Sequence, residues 1–214
     1  MNNQLKYIEY INEYAEKNKC HIWLGGSFLR GDATSLSDVD VSIYCDAAKL
    51  SDFINGYGTP VFISYTINPV GILIIIYEDD VAVDLDIIDK IEVTNDKFFH
   101  FENIKELNFT RNEAICKELA LRNDKPYQIS RLFHRSLIKY ISGKKDVGIS
   151  IANEIVTYLN SNVHVNEKNY KNQLAHLLDE FNDKYPLDEG YYNILDKIFY
   201  KLDECGVVNE NKSQ

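Results

Sequence analysis

Two aspartates, Asp38 and Asp40, stand one residue apart in a segment where they alternate with Val39, Val41 and Ile43. Alternation of polar and apolar residues is typical of a half-buried strand. Residues two apart on a strand point to the same face, so we expect the two carboxylates to lie side by side. Neighbouring carboxylates repel each other unless a cation lies between them. The spacing therefore predicts a divalent metal site. Mg²⁺ suits it, because that ion takes oxygen ligands and leaves positions for water and substrate phosphates.

A glycine turn precedes the aspartates. Residues 20–24 are apolar enough for a short buried strand, which ends at a pair of glycines, and residues 27–30 predict a short helix. The first amides of a helix are unpaired and lie at the positive end of its dipole, so Gly26 and Ser27 are candidates for binding phosphates. Arg30 either neutralises those phosphates or pairs with Asp32 at the surface, and the sequence leaves both open. A metal site beside a phosphate-binding turn indicates phosphoryl or nucleotidyl transfer.

The corner Gly26-Ser27, the following Arg30-Gly31 and the segment 37–41 resemble the signature of the DNA polymerase β-like nucleotidyltransferase superfamily. The small bacterial nucleotidyltransferases that modify aminoglycoside or lincosamide antibiotics are the most similar members. The resemblance covers about residues 20–90. It implies an α+β fold, a nucleoside triphosphate as substrate, two Mg²⁺ ions and a third acidic residue on a later strand.

The third acidic residue has two candidates, Asp84 and Asp86, which share one face of a predicted strand over residues 81–88. Asp84 stands between Val83 and Leu85 in the way that the third acid of the superfamily usually does, and Asp86 is the alternative. By resemblance, Asp38, Asp40 and Asp84 are the catalytic, metal-binding residues. Gly26, Ser27 and Arg30 would bind the triphosphate.

The rest of the chain predicts two domains and a tail. Residues 1–108 would form the nucleotidyltransferase catalytic domain, a mixed or antiparallel sheet flanked by helices, and residues 109–208 a helical bundle. The aromatic cluster at 98–101 is interpreted as the seam between them, and residues 209–214 as a disordered tail. Apolar residues at helical spacing predict a leading helix at 4–18 and five later helices, at 112–123, 126–141, 146–159, 167–185 and 189–205.

Composition narrows the class of partner. The 214 residues include 33 acidic and 23 basic ones, so the formal charge is 23 − 33 = −10. An acidic chain is a poor general binder of nucleic acid, which needs many lysine and arginine contacts, and it attracts cationic small molecules instead. The four cysteines have no short pair spacing and predict neither a zinc site nor a disulfide. No signal segment or membrane span is apparent, so we expect a cytoplasmic protein.

These observations together predict a metal-dependent enzyme that transfers a nucleoside monophosphate, AMP from ATP, to a hydroxyl of a small molecule and releases pyrophosphate. The acceptor would be a cationic compound such as an aminoglycoside-like antibiotic, which would place the protein in antibiotic resistance. The alternative is an antitoxin-type or regulatory nucleotidyltransferase that acts on a protein or RNA partner. We expect a monomer or a homodimer, with no membrane association and no nucleic acid partner.

Overall fold

The computed structural model of the chain describes residues 3–67, 70–93, 96–104 and 107–210. Contacts divide the chain into two units, residues 1–123 and residues 124–214. None of the described helices combines the length and the apolar character needed to cross a bilayer.

The first unit is built from seven strands and four α-helices among its described residues. The strands are β1 (His21–Leu24), β2 (Val39–Tyr44), β3 (Pro60–Ile67), β4 (Val70–Tyr77), β5 (Ala82–Ile91), β6 (Phe99–His100) and β7 (Phe109–Arg111). The helices are α1 (Asn3–Asn18), α2 (Gly26–Arg30), α3 (Leu50–Tyr57) and α4 (Glu113–Leu119), and a short 3-10 helix, Ala47–Lys49, leads into α3.

The strands form one mixed sheet in the order β3-β4-β5-β2-β1-β6, and β7 pairs with β5 beyond that path. β2 and β5 are parallel, whereas β1 pairs antiparallel with β2 and β4 pairs antiparallel with both β3 and β5. With helices packed on this sheet and further helices in the second unit, the predicted α+β class is confirmed.

One face of the sheet carries the core. Val41 on β2 and Leu85 on β5 are buried there together with Tyr7 and Ile11 of α1 and Phe53 of α3. Tyr7 and Ile11 are four residues apart and therefore lie on one face of α1. Because alternate residues of a strand face opposite ways, the residues between the core positions of β2 and β5 point to the other face of the sheet.

The boundary between the units lies later than the sequence predicted. β7 pairs with the end of β5, with Ile88 opposite Arg111, and α4 contacts β3 and β4. Residues 109–123, which were expected to open the helical bundle, therefore belong with the sheet. A three-residue strand is too short to show an alternating pattern, and its place is set by its pairing with distant β5.

The aromatic cluster at 98–101, expected as a seam between domains, instead includes a strand of the sheet. β6 pairs in parallel with β1, with Trp23 opposite His100. The two rings stack with centroids 4.5 Å apart, and Nε2 of His100 lies 3.1 Å from Nδ1 of His21. Burial lowers the pKa of His100, because charging an enclosed imidazole is unfavourable.

Four long helices make up the described part of the second unit: α5 (Lys125–Ile141), α6 (Lys145–Leu159), α7 (Tyr170–Lys184) and α8 (Glu189–Glu210). These helices confirm the last four predicted from the sequence, and α4 corresponds to the first. The Asp124 carboxylate accepts a hydrogen bond from the Tyr127 amide at 3.0 Å and caps α5. Of the predicted tail, 209–214, residues 209 and 210 belong to α8, and residues 211–214 lie outside the described part.

Helices α5 and α6 pack closely at Gly148. A Cβ at this position would lie 2.9 Å from the Ser136 carbonyl oxygen and 2.9 Å from the Tyr140 Cβ. The Ser136 hydroxyl donates to the Gly148 carbonyl at 2.8 Å and lies 2.7 Å from the Tyr170 hydroxyl of α7. One buried serine thus ties three helices together at the point where a glycine lets two of them meet.

We expect Gly148→Ala to lower the free energy of unfolding by about 1–2 kcal/mol, because the overlap with the α5 backbone outweighs the better helix propensity of alanine. Urea denaturation followed by circular dichroism measures the change. Ser150→Ala, on an exposed position of the same helix, is the matched control and should stay within about 0.5 kcal/mol of the parent. Equal stability of Gly148→Ala and the parent would contradict the close packing.

Candidate active site

Two acidic side chains are brought together by the pairing of β2 with β5. Asp40 is the direct partner of Asp84 in the parallel register, and both are partly buried. Neighbouring strands lie about 4.8 Å apart, so the two side chains leave the sheet next to each other. Their neighbours in the register, Val41 and Leu85, are buried in the core on the opposite face. The same alternation that buries the apolar residues on one face of the sheet therefore places the two carboxylates on the other face.

The glycine turn lies directly against Asp40. The Gly25 amide donates to the Asp40 carbonyl at 2.8 Å, and a Cβ on Gly26 would overlap the Asp40 carboxylate, lying 2.5 Å from its Cγ. Gly26 also has a φ of +58°, in the left-handed region that side chains disfavour. Only a glycine fits both conditions, and α2 begins there. The predicted turn and short helix are confirmed.

Ser27 lies in the first turn of α2 and is partly buried. Because α2 has five residues, its dipole is small, and the closeness of the turn to Asp40 is the better support for phosphate binding here. The sequence left two roles open for Arg30, neutralising phosphates or pairing with Asp32 at the surface. Its guanidinium lies 3.3 Å from the Asp32 carboxylate, with both side chains 62% exposed, which is the surface pairing that the sequence left open.

Asp38 precedes β2 and lies outside it. The strand begins at Val39, so the period of two that predicted Asp38 and Asp40 on one face does not extend to Asp38. The loop before it is held by a turn in which the Ser37 hydroxyl accepts from the Thr34 amide at 2.9 Å. Over the described residues, no three acidic, histidine or cysteine side chains are arranged to hold a metal ion by themselves. The structure thus brings Asp40 and Asp84 together and leaves Asp38 adjacent in sequence.

Asp86 lies opposite a different residue of β2 from Asp84, and it also forms an ion pair with Arg111. It faces Ser42 in the register, and its two carboxylate oxygens accept from Nε and Nη2 of Arg111, the second bond being 3.0 Å long. The pKa of Arg111 is raised, chiefly by these hydrogen bonds. A carboxylate that already holds a guanidinium is less suited to bind a metal, which counts against Asp86 as the third acid. Sequence reasoning missed Arg111, since nothing near it in the chain marks a contact 25 residues away.

The family model described as a nucleotidyltransferase domain matches residues 6–145 of the chain. The protein belongs to the nucleotidyltransferase domain family. The match extends through the whole sheet and all of α5 to the first residue of α6, well beyond residues 20–90, which carry the resemblance. Among curated proteins, none matches the chain. The nucleotidyltransferase superfamily and the transferase class are thereby confirmed, and the protein is a nucleotidyltransferase whose substrate is a nucleoside triphosphate.

Nucleotidyltransferases generally use a divalent metal, and the donors around Asp40 fit one. Mg²⁺ is commonly held in proteins by one or two carboxylates together with substrate phosphates, so a closed cluster of three protein ligands is not required. Asp40 and Asp84 supply the two carboxylates, and the missing side chain of Gly26 leaves room for the first of them.

We expect Asp40→Asn and Asp84→Asn each to weaken Mn²⁺ binding in the presence of a non-hydrolysable triphosphate analogue by at least about tenfold, because each removes a negative oxygen donor. Isothermal titration calorimetry measures the affinity. Asp89→Asn changes an exposed carboxylate on the same strand and should leave the affinity unchanged. If the three variants bind Mn²⁺ equally well, the metal is not at the β2–β5 pair.

Gly26→Ala should abolish analogue binding, since its methyl group would displace the Asp40 carboxylate. It should also lower the free energy of unfolding by at least about 1 kcal/mol through backbone strain. Gly143→Ala is the matched control, because Gly143 has a φ of +84° with no atom within 4 Å of the added Cβ. That variant should share the loss of stability and keep the analogue affinity; equal analogue affinities of the two variants would contradict a role for the close approach at Asp40.

Proposed function

We propose that the protein is a Mg²⁺-dependent enzyme that transfers AMP from ATP to a hydroxyl of a cationic small molecule, such as an aminoglycoside-like antibiotic, and releases pyrophosphate. The observation that carries the proposal is the direct pairing of Asp40 with Asp84 beside the Gly26 turn. Such an arrangement suits chemistry in which one substrate brings phosphates and a cation must lie between them and the carboxylates.

The residues have separate parts in this reaction. Asp40 and Asp84, with Asp38 nearby, would hold the metal, which supplies charge stabilisation for the attacking and leaving oxygens. The turn at Gly26 and Ser27 would orient the terminal phosphates through its amides and the serine hydroxyl. Arg30 would assist only after exchanging its exposed pairing with Asp32, which is worth little in water.

The transfer itself exchanges one phosphorus–oxygen bond for another. The acceptor oxygen attacks the α-phosphorus in line with the bond to the β-phosphate, and pyrophosphate leaves as that bond breaks. The proton of the acceptor hydroxyl passes to Asp84 or to a neighbouring carboxylate. Positioning and electrostatic stabilisation are the main contributions that a protein can make to such a step.

Charge supports a small cationic acceptor. With a formal charge of −10, the chain attracts cations over long range and opposes the close approach of a nucleic acid backbone. The modification of a polycationic compound is the function that this balance favours over the extension of a nucleic acid.

The proposal predicts transfer of label from α-labelled ATP, with Mg²⁺, to at least one member of a panel of aminoglycosides and lincosamides, resolved by thin-layer chromatography. Neutral sugar alcohols are the matched acceptors without positive charge and should remain unlabelled. Asp40→Asn should slow the transfer at least about a hundredfold, equivalent to about 3 kcal/mol of activation free energy, whereas Asp89→Asn should not.

Other results would redirect the proposal. Label that enters only a co-purified protein or RNA would favour the regulatory alternative over a small-molecule acceptor. Label transferred from GTP, CTP or UTP in preference to ATP would correct the donor. Failure of all four triphosphates to raise the melting temperature with Mg²⁺ would contradict the proposed reaction as a whole.

A further inference from the structure

We propose that Arg111 is a positioning residue that keeps Asp86 out of the metal-binding set and cancels its charge. This inference rests on the proposed function, because it concerns the same carboxylates. Asp84 and Asp86 lie two residues apart on β5 and share one face, with their Cα atoms roughly 7 Å apart. A second carboxylate on that face is close enough to compete for a cation held by Asp40 and Asp84.

The ion pair between Arg111 and Asp86 is held by two hydrogen bonds and is partly buried. Both nitrogens of the guanidinium fork engage the carboxylate, and the Asp86 side chain is only 18% exposed. Two-point bonds between arginine and a carboxylate fix the orientation of both planes, and partial burial reduces screening by water and salt. Asp86 is therefore fixed with both oxygens directed at Arg111.

Three further contacts hold the arginine itself. Its backbone is held in the sheet, since Arg111 lies opposite Ile88 in the pairing of β7 with β5. Its guanidinium carbon lies 5.5 Å from the centroid of the Phe109 ring. The Gly71 backbone lies beside the arginine stem, since a Cβ on Gly71 would be in ordinary van der Waals contact with the Arg111 Cδ at 3.7 Å. Arg111 is thus pre-positioned and loses little freedom on binding Asp86.

The charge balance gives the pair a consequence for the site. Asp40, Asp84 and Asp86 together would place three negative charges along β2 and β5, and Arg111 neutralises the one on Asp86, which lies two residues further along β5 from the glycine turn than Asp84. Removing either partner changes the charge near the metal by one unit, in opposite directions for the two partners.

The test is the Mn²⁺ affinity of four proteins by isothermal titration calorimetry with the non-hydrolysable analogue present: the parent, Arg111→Gln, Asp86→Asn and the double variant. At a separation of about 7 Å, a lost unit charge should change the affinity for a dication at least about fivefold, even in a water-like dielectric. We expect tighter binding in Arg111→Gln, weaker binding in Asp86→Asn, and an affinity within about twofold of the parent in the double variant. Urea denaturation of each variant establishes that it is folded.

Two kinetic readouts accompany the titration. Arg111→Gln should lower kcat at least about tenfold despite the tighter binding, because the released Asp86 draws the cation away from its working position. Arg111→Lys keeps the charge without the two-point bond, so it should restore the parent Mn²⁺ affinity and recover only part of kcat.

Three results would overturn the inference. Changes of affinity in the same direction, or no change, in both single variants would reduce the pair to a structural contact. Loss of Mn²⁺ binding in Asp86→Asn as complete as in Asp84→Asn would make Asp86 itself a ligand. Absence of Mn²⁺ binding by the parent would remove the proposed function and this inference together, whereas a binding parent with unresponsive Arg111 variants would remove the inference alone.

Discussion

The parallel register of β2 and β5 is the constraint on which the rest of the first unit depends. Asp40 faces Asp84 because Val39 pairs with Val83 and Val41 with Leu85, and all four of those apolar side chains are buried on the opposite face. A slip of one residue would turn the carboxylates of one strand into the core and its apolar residues out of it. Burial of the core therefore specifies the geometry of the candidate site, and the two cannot vary independently.

The second constraint is the approach of the backbone at Gly26 to the Asp40 carboxylate. The antiparallel pairing of β1 with β2 continues at the turn, where the Gly25 amide donates to the Asp40 carbonyl. This bond brings the start of α2 to the side chain that leaves the sheet at the same residue. The β2–β5 pair thus aligns Asp40 with Asp84, and the β1–β2 pair aligns Asp40 with the glycine turn. Asp40 is therefore the residue that links the two pairings.

Local periodicity was sufficient for most of this arrangement and failed where contacts span long stretches of chain. The alternation in β2 and β5 and the helical spacing of apolar residues over 4–18 predicted elements that the structure confirms. Asp38 lies one residue before the start of β2, and its place in the site stays a prediction. β6 and β7, with two and three residues, are too short for any period, and their places depend on pairing with β1 and β5. Arg111 was missed for the same reason.

The net negative charge of the chain opposes the approach of an anionic substrate, and the ion pair between Arg111 and Asp86 reduces the negative charge on the β5 strand. Under the proposed function, a polyanionic triphosphate must approach carboxylates in a protein with a formal charge of −10, which electrostatics opposes until a cation lies between them. A fully solvated pair such as Arg30 with Asp32 contributes little to that balance, because water already screens both charges. Arg111 and Asp86 are more enclosed, so their mutual neutralisation persists near the site. With the charge of Asp86 balanced by Arg111, Asp40 and Asp84 are the adjacent carboxylates of β2 and β5 that a dication would meet under the proposed function.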